Sequence, residues 1–212
     1  AVMIENVRGF LGAVFHDYRE RLKKQLDGLG YRTDWRLLNA SDYGVPQLRP
    51  RVVIVALQKD RADYFDWPEP NPHNPPTVGE TLHDLMAARG WRGADDWAAK
   101  ADEIAPTIVG GSKKHGGPDL GPTRARAAWA TLGVEGRTLA PEAPDAFHNG
   151  MPRLTVPMVA RIQGFPDDWH FTGAKTNAYR QVGNAFPPPV AQAVSSQIAR
   201  ALRKPVLRSV RA

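Results

Sequence analysis

A chain of 212 residues, 42% apolar and 24% charged, has the composition of a globular protein that can bury a core. No apolar run approaches the roughly 20 residues of a membrane-spanning helix, and the N-terminus lacks the basic-then-apolar plan of a secretory signal, so a cytoplasmic location and no membrane partner are expected. The absence of cysteine excludes disulfides, thiolate metal sites and a cysteine nucleophile from these residues, while nineteen glycines, nineteen prolines and a net charge of +6 disfavour a helical bundle and admit a polyanionic partner.

Ala1 to Val7 is an apolar run too short for a helix. Leu11, Val14, Phe15, Tyr18, Leu22, Leu26 and Leu29 recur at spacings of three and four ahead of Gly30, which predicts an amphipathic helix and its stop. Trp35 to Leu38 and Arg51 to Leu57 read as strands, the second with a Val-Val-Ile-Val centre suited to burial on both faces. This order predicts part of an α/β sheet over residues 1–67. Five prolines between Pro68 and Pro76 mark a boundary. Beyond it, Thr77 and Glu80 form a capping box for a helix through Leu82, Leu85 and Met86, and the weak periodicity from Gly90 to Gly150 predicts a small, loop-rich domain over residues 68–150. In residues 151–212, Thr155 caps a helix that ends near Gly164, and Pro187 to Pro189 open a last helix carrying Val190, Val194, Ile198 and Leu202. The charge is uneven: +2 over residues 1–67, −3 over 68–150 and +7 over 151–212. Arg200, Arg203, Lys204, Arg208 and Arg211 make a basic tail, either a polyanion contact or a solvated terminus.

Four blocks carry the chemistry. Glu5-Asn6-Val7 follows a strand, where α/β sheets bind ligands; Glu5 is either an acid–base group or a simple ion-pair partner. Gln47-Leu48-Arg49-Pro50-Arg51 sets two guanidinium groups at alternate positions on an extended chain, suited to a planar oxygen-bearing ligand or a phosphate, or else to two surface ion pairs. Then come Arg153-Leu154-Thr155 through Ala160-Arg161-Ile162-Gln163-Gly164-Phe165-Pro166-Asp167, and finally Gln181-Val182-Gly183-Asn184, which in isolation reads as a turn. Between the second and third blocks, Gly110 to Gly117 is glycine-rich with Lys113 and Lys114, and Arg124 and Arg126 follow; these meet a polyanion or belong to a solvated loop without a partner. His73, His83, His115 and His148 show no metal-ligand spacing, and no metal is expected.

Taken in order, these blocks resemble the C-terminal half of DNA cytosine-5 methyltransferases. The resemblance implies the C-terminal part of a Rossmann-like methyltransferase domain, with a target recognition domain inserted at residues 68–150 and a support region and returning helix in 151–212. It also implies double-stranded DNA as substrate and S-adenosylmethionine as cofactor, within a restriction-modification setting. Carbon 5 of cytosine is a poor nucleophile, so methylation requires a nucleophile to add at C6 while N3 is protonated or hydrogen-bonded. By resemblance Glu5 supplies that N3 contact, Arg51 meets the base oxygen, Arg49 supports the site and Asn6 helps hold the catalytic loop. Asn184, with Gly183, falls near the methionine portion of the cofactor, and the target base is expected to leave the duplex.

The sequence departs from the family's pattern in one respect. The glycine-rich cofactor loop and the Pro-Cys nucleophile that precede Glu-Asn-Val have no counterpart here, so the chain alone is expected to be inactive. Three readings stay open: a portion or subunit of a methyltransferase whose N-terminal half brings most of the cofactor site, as the same chain or a separate subunit; a non-catalytic DNA-binding relative; or an inactive remnant.

Overall fold

The computed structural model describes residues 1–71, 73–110 and 117–204. Its elements run β1 (Val2–Val7), α1 (His16–Gly28), β2 (Tyr31–Asn39), β3 (Pro50–Gln58), α2 (Lys59–Ala62), α3 (Val78–Ala87), α4 (Ala94–Lys100), α5 (Thr123–Thr131), α6 (Val156–Ile162), α7 (Lys175–Asn184) and α8 (Pro188–Arg203). The chain forms two compact units. One comprises Ala1–Asn39, Pro50–Pro70 and the chain from Val190 on; the other comprises Ala40–Arg49 and Asn71–Pro189.

The first unit is built on a three-stranded sheet of order β1-β3-β2, with both neighbours antiparallel to β3. The β-branched run of β3 explains its central place, because Val52 to Leu57 are all at most 2% exposed and only a strand flanked on both sides and covered on both faces hides six residues in succession. Each of the Val, Ile and Leu side chains contributes roughly 1.5–3 kcal/mol through burial, and Ala56 less. Phe10, Val52 and Ile54 form a small core with Ile4, Leu22 and Trp35 against it. The predicted helix over Leu11 to Leu29 is corrected at its start: two 3-10 turns, Arg8–Leu11 and Ala13–Phe15, occupy the first part, and α1 begins only at His16. None of its residues is buried and Tyr18 is largely exposed; α1 packs chiefly along β2, with Leu22 reaching the small core. On α8 the predicted stripe is likewise partial. Val190 and Val194 are buried, Ile198 is half-buried and Leu202 is exposed.

The second unit has one apolar core, in which Leu82, Met86, Trp97, Ile108 and Trp129 meet Leu154, Val159 and Tyr179. Residues 151–189 share a core with residues of 71–150, and the chain from Val190 on belongs to the first unit. The capping box of α3 forms as read, with Glu80 N donating to Thr77 Oγ1 (3.1 Å) and Thr77 N to Glu80 Oε2 (2.8 Å). Thr155 caps α6, its hydroxyl accepting from Met158 N. Gly164 ends the following turn at φ +87°, where an added Cβ would lie 2.7 Å from Pro189 Cδ, so no other residue fits the chain reversal there.

Arg161 fastens α6 within this unit. It forks onto Asp167 (Nε–Oδ1 2.8 Å, Nη2–Oδ2 2.6 Å) and also donates to Asp84 and to Thr81 O. Hydrogen bonding to Arg161 holds both carboxyls below their usual range, and Asp167 in turn raises the guanidinium. A carboxyl depressed in the folded state stabilises above its ordinary value near 3.9 and loses that contribution as pH falls through the folded value. Thermal stability is therefore expected to start falling below about pH 5, with a shallower acid limb in Arg161→Gln. Both carboxylates are largely exposed, so the difference should shrink at high salt. Parallel acid limbs in a melting series from pH 7 to pH 2 would contradict this assignment.

Candidate functional site

In the first unit, strand geometry places Glu5 and Arg51 together. Register pairs Glu5 with Val53 and Val7 with Arg51, so Glu5 and Arg51 are diagonal neighbours on one face of the β1–β3 ladder. Arg51 Nε meets Glu5 Oε1 at 2.7 Å, with the Arg51 side chain 13% exposed and that of Glu5 26%. Arg51 Nη1 donates to Pro50 O at 2.8 Å. Burial pushes the Arg51 guanidinium below its ordinary value, and the Glu5 charge and hydrogen bond oppose that shift. Among the described residues, Arg51 Nη2 and Glu5 Oε2 have no protein partner. The pair thus presents one donor and one carboxylate oxygen on a partly open face. Asn6 alternates to the other face, opposite Val52, where its Oδ1 accepts from Val7 N at 2.8 Å.

Arg49 behaves differently from Arg51. It belongs to the second unit, is 1% exposed and donates to backbone carbonyls: Nη1 to Ile108 O (2.6 Å), Nη2 to Gly183 O (2.7 Å) and to Ala185 O (3.0 Å). The expectation that two alternate arginines face one ligand is corrected: β3 begins at Pro50, so Arg51 has strand geometry while Arg49 lies ahead of the strand and turns into the second unit. Two fully buried glutamines complete the cluster. Gln47 Nε2 donates to Gln163 Oε1 (2.6 Å), Gln163 Nε2 donates to Ala185 O (2.8 Å), and Ile108 N donates to Gln47 Oε1 (2.8 Å). Buried polar side chains persist only when satisfied, and here they tie together four segments distant in sequence. The reading of the motifs missed both glutamines as site residues; the available signal was an amide in each of two otherwise apolar or arginine-bearing blocks.

Gly183 and Asn184 form the end of α7 rather than an isolated turn. Gly183 is buried against the Val109–Gly110 backbone, and a Cβ there would stand 2.5 Å from Gly110 Cα. Asn184 is exposed, and its side-chain amide lies beside Gly110. Its amide offers two donors and an acceptor, which fit the amino-acid end of a cofactor such as the one the resemblance implies, whereas Gly183 fits a packing role. Arg124 and Arg126 lie on α5, the first exposed and the second half-buried with Nη2 on Thr123 Oγ1 (3.4 Å). Lys113, Lys114, Arg208 and Arg211 lie outside the described residues. Among the described residues, no group of three or more His, Asp or Glu is placed to hold a metal, and no helix is long and apolar enough to cross a membrane.

Solved structures define the class. The chain is similar to a putative DNA modification methyltransferase encoded within an E. coli prophage, with a TM-score of 0.59 and 20% identity over 95% of this chain and 69% of that one. It is also similar to the Entamoeba histolytica methyltransferase EhMeth, with a TM-score of 0.60 and 16% identity over 95% of this chain and 63% of that one. At such identities the likeness establishes the fold, the α/β Rossmann-like fold of methyltransferases.

The C-5 cytosine-specific DNA methylase family model matches residues 1–200, and the chain belongs to that family. Type II methyltransferase M.NaeI of Lentzea aerocolonigenes is 60% identical over 206 residues, covering 95% of this chain and 49% of the relative. Type II methyltransferase M.NgoMIV of Neisseria gonorrhoeae is 50% identical over 211 residues, covering 96% and 65%. The chain thus spans between half and two thirds of the length of these relatives.

Proposed function

We propose that these residues are the C-terminal portion of a site-specific DNA (cytosine-5) methyltransferase that transfers a methyl group from S-adenosylmethionine to C5 of a cytosine turned out of the duplex. The observation that carries this reading is the Glu5–Arg51 pair, held at 2.7 Å on one sheet face with an oxygen and an N–H left to meet a base. On binding the base Glu5 takes up a proton, which Oε2 donates to N3, while Oε1, already accepting from Arg51 Nε, also accepts from the exocyclic amine, a pattern that cytosine matches. Arg51 Nη2 donates to the base oxygen. As a nucleophile adds at C6, negative charge grows on N3 and the base oxygen, where the Glu5 proton and the Arg51 donor stabilise it. Attack on C6 needs access above and below the ring, which a stacked base does not offer.

S-adenosylmethionine supplies the electrophilic methyl group when bound. Asn184 contributes hydrogen bonds to its amino-acid end, and Arg49, Gln47 and Gln163 fix the backbone on either side of Asn184 without touching the substrate. The nucleophile and the remaining cofactor contacts come from outside these cysteine-free residues, from an N-terminal half in the same polypeptide or in a companion chain. Residues 71–189 provide target recognition with its supporting helices, exposed Arg124 being the foremost described candidate for a DNA contact, and the setting is intracellular, beside a restriction enzyme of the same site.

The test is nucleoside analysis of duplex DNA incubated with S-adenosylmethionine. The full-length enzyme, or this chain combined with its N-terminal half, should yield 5-methylcytosine, and this chain alone should yield none. A methylated adenine or an N4-methylated cytosine would overturn the reading, as would 5-methylcytosine from this chain alone.

A further inference from the structure

We propose that Gly110 is a positioning residue for Asn184 and thereby sets the affinity for the methyl donor; this rests on the donor-facing reading of Asn184 given above. The two backbones that meet at Asn184 hang on one buried network. Arg49 Nη2 holds Gly183 O (2.7 Å) and Ala185 O (3.0 Å), Gln163 Nε2 holds Ala185 O (2.8 Å), and on the other segment Ile108 is held through its carbonyl by Arg49 (2.6 Å) and through its N–H by Gln47 (2.8 Å). Neither segment is free to retreat from the other. Their approach is so close that glycine is required at 183, where a Cβ would lie 2.5 Å from Gly110 Cα, while a Cβ on Gly110 would lie 2.4 Å from Asn184 Oδ1 and 2.7 Å from its Cγ.

With its backbone fixed, Asn184 retains only side-chain rotation, and Gly110 bounds the space in which that rotation takes place. A methyl group at position 110 displaces the Asn184 amide from its rotamer, and because Asn184 is exposed the side chain can swing away without breaking the core. Loss of hydrogen bonds to a charged ligand group corresponds to roughly tenfold or more in affinity.

The experiment is a double-mutant cycle in the full-length enzyme that contains these residues, reading KM and equilibrium Kd for S-adenosylmethionine, KM for duplex DNA, and the thermal midpoint. Gly110→Ala should raise the donor KM and Kd by roughly tenfold, with little change in kcat at saturating donor or in the DNA KM. Asn184→Ala should raise the donor constants similarly, and adding Gly110→Ala to Asn184→Ala should raise them no further, because the atoms that the new methyl group meets have been removed. Equal fold-increases from Gly110→Ala in both backgrounds would overturn the proposal, since the effect would then not pass through Asn184. Normal donor affinity in Gly110→Ala beside weakened affinity in Asn184→Ala would also overturn it and would leave the proposed function standing. Normal donor affinity in Asn184→Ala would overturn the proposal together with the donor-facing reading of Asn184 on which it rests. The thermal midpoint separates a general loss of packing, which would lower the midpoint and raise donor and DNA constants alike, from a displaced amide, which raises the donor constants alone.

Discussion

Glu5→Gln in the full-length enzyme is expected to lower kcat by about 10²–10⁴ with little change in duplex affinity, the span that a lost general acid typically costs. Glutamine keeps the length of the side chain and can still pair with an amine or with N3, so recognition of cytosine is retained in part. It has no transferable carboxyl proton, and the charge that builds on N3 during attack at C6 is left unneutralised. The substitution also removes the ionic partner of a guanidinium that burial already pushes below its ordinary value, so Arg51 should reorient as well. Single-turnover methylation beside an equilibrium DNA titration resolves the two effects. Equal losses in rate and affinity would mean that Glu5 serves binding alone.

Arg49→Met is expected to act on stability, lowering it by about 3–5 kcal/mol, or roughly 6–20 °C in thermal midpoint for a chain of this size. Methionine approximates the stem of arginine but leaves the carbonyls of Ile108 and Gly183 without the donors they have now, while Ala185 O keeps Gln163 Nε2, and each buried unpaired carbonyl costs about 1–3 kcal/mol. Arg49→Lys should recover little, because a single ammonium cannot span acceptors on two segments as a planar fork does. A melt of each variant decides the matter. A midpoint within about 2 °C of the parent in Arg49→Met, a shift worth less than 1 kcal/mol, would contradict the clamp.

The contrast between the two arginines also shows where the sequence was legible. The Val-Val-Ile-Val run announced β3, and the Thr77–Glu80 spacing announced α3, because both signals are local: a buried strand needs consecutive apolar residues, and a capping box needs two side chains three positions apart. Helices α4 and α5 were not legible, since each is short and anchored in the core chiefly by one indole, Trp97 or Trp129, and a single anchor gives no period. Glu5 reads as following a strand, whereas it lies inside β1 opposite Val53; its pairing with Arg51 depends on the β1–β3 register and was not readable. Nor was what separates Arg49 from Arg51. It depends on the strand starting at Pro50 and on acceptors near residues 108 and 183, which lie far off in the chain. The need for glycine at 183, set by two backbones in contact, and the bound that Gly110 places on the Asn184 side chain are likewise invisible until both segments are placed.

Covalent trapping on a 5-fluorocytosine duplex tests the division of labour most directly, because the fluorine blocks release after C6 attack and methyl transfer. With the full-length enzyme and S-adenosylmethionine, peptide mapping of the trapped complex should place the adduct on a cysteine outside these 212 residues, and Arg51→Ala should trap far more slowly. An adduct on a residue within this chain, or trapping by Arg51→Ala at the parent rate, would contradict the assignment of Glu5 and Arg51 as the pair that activates the base.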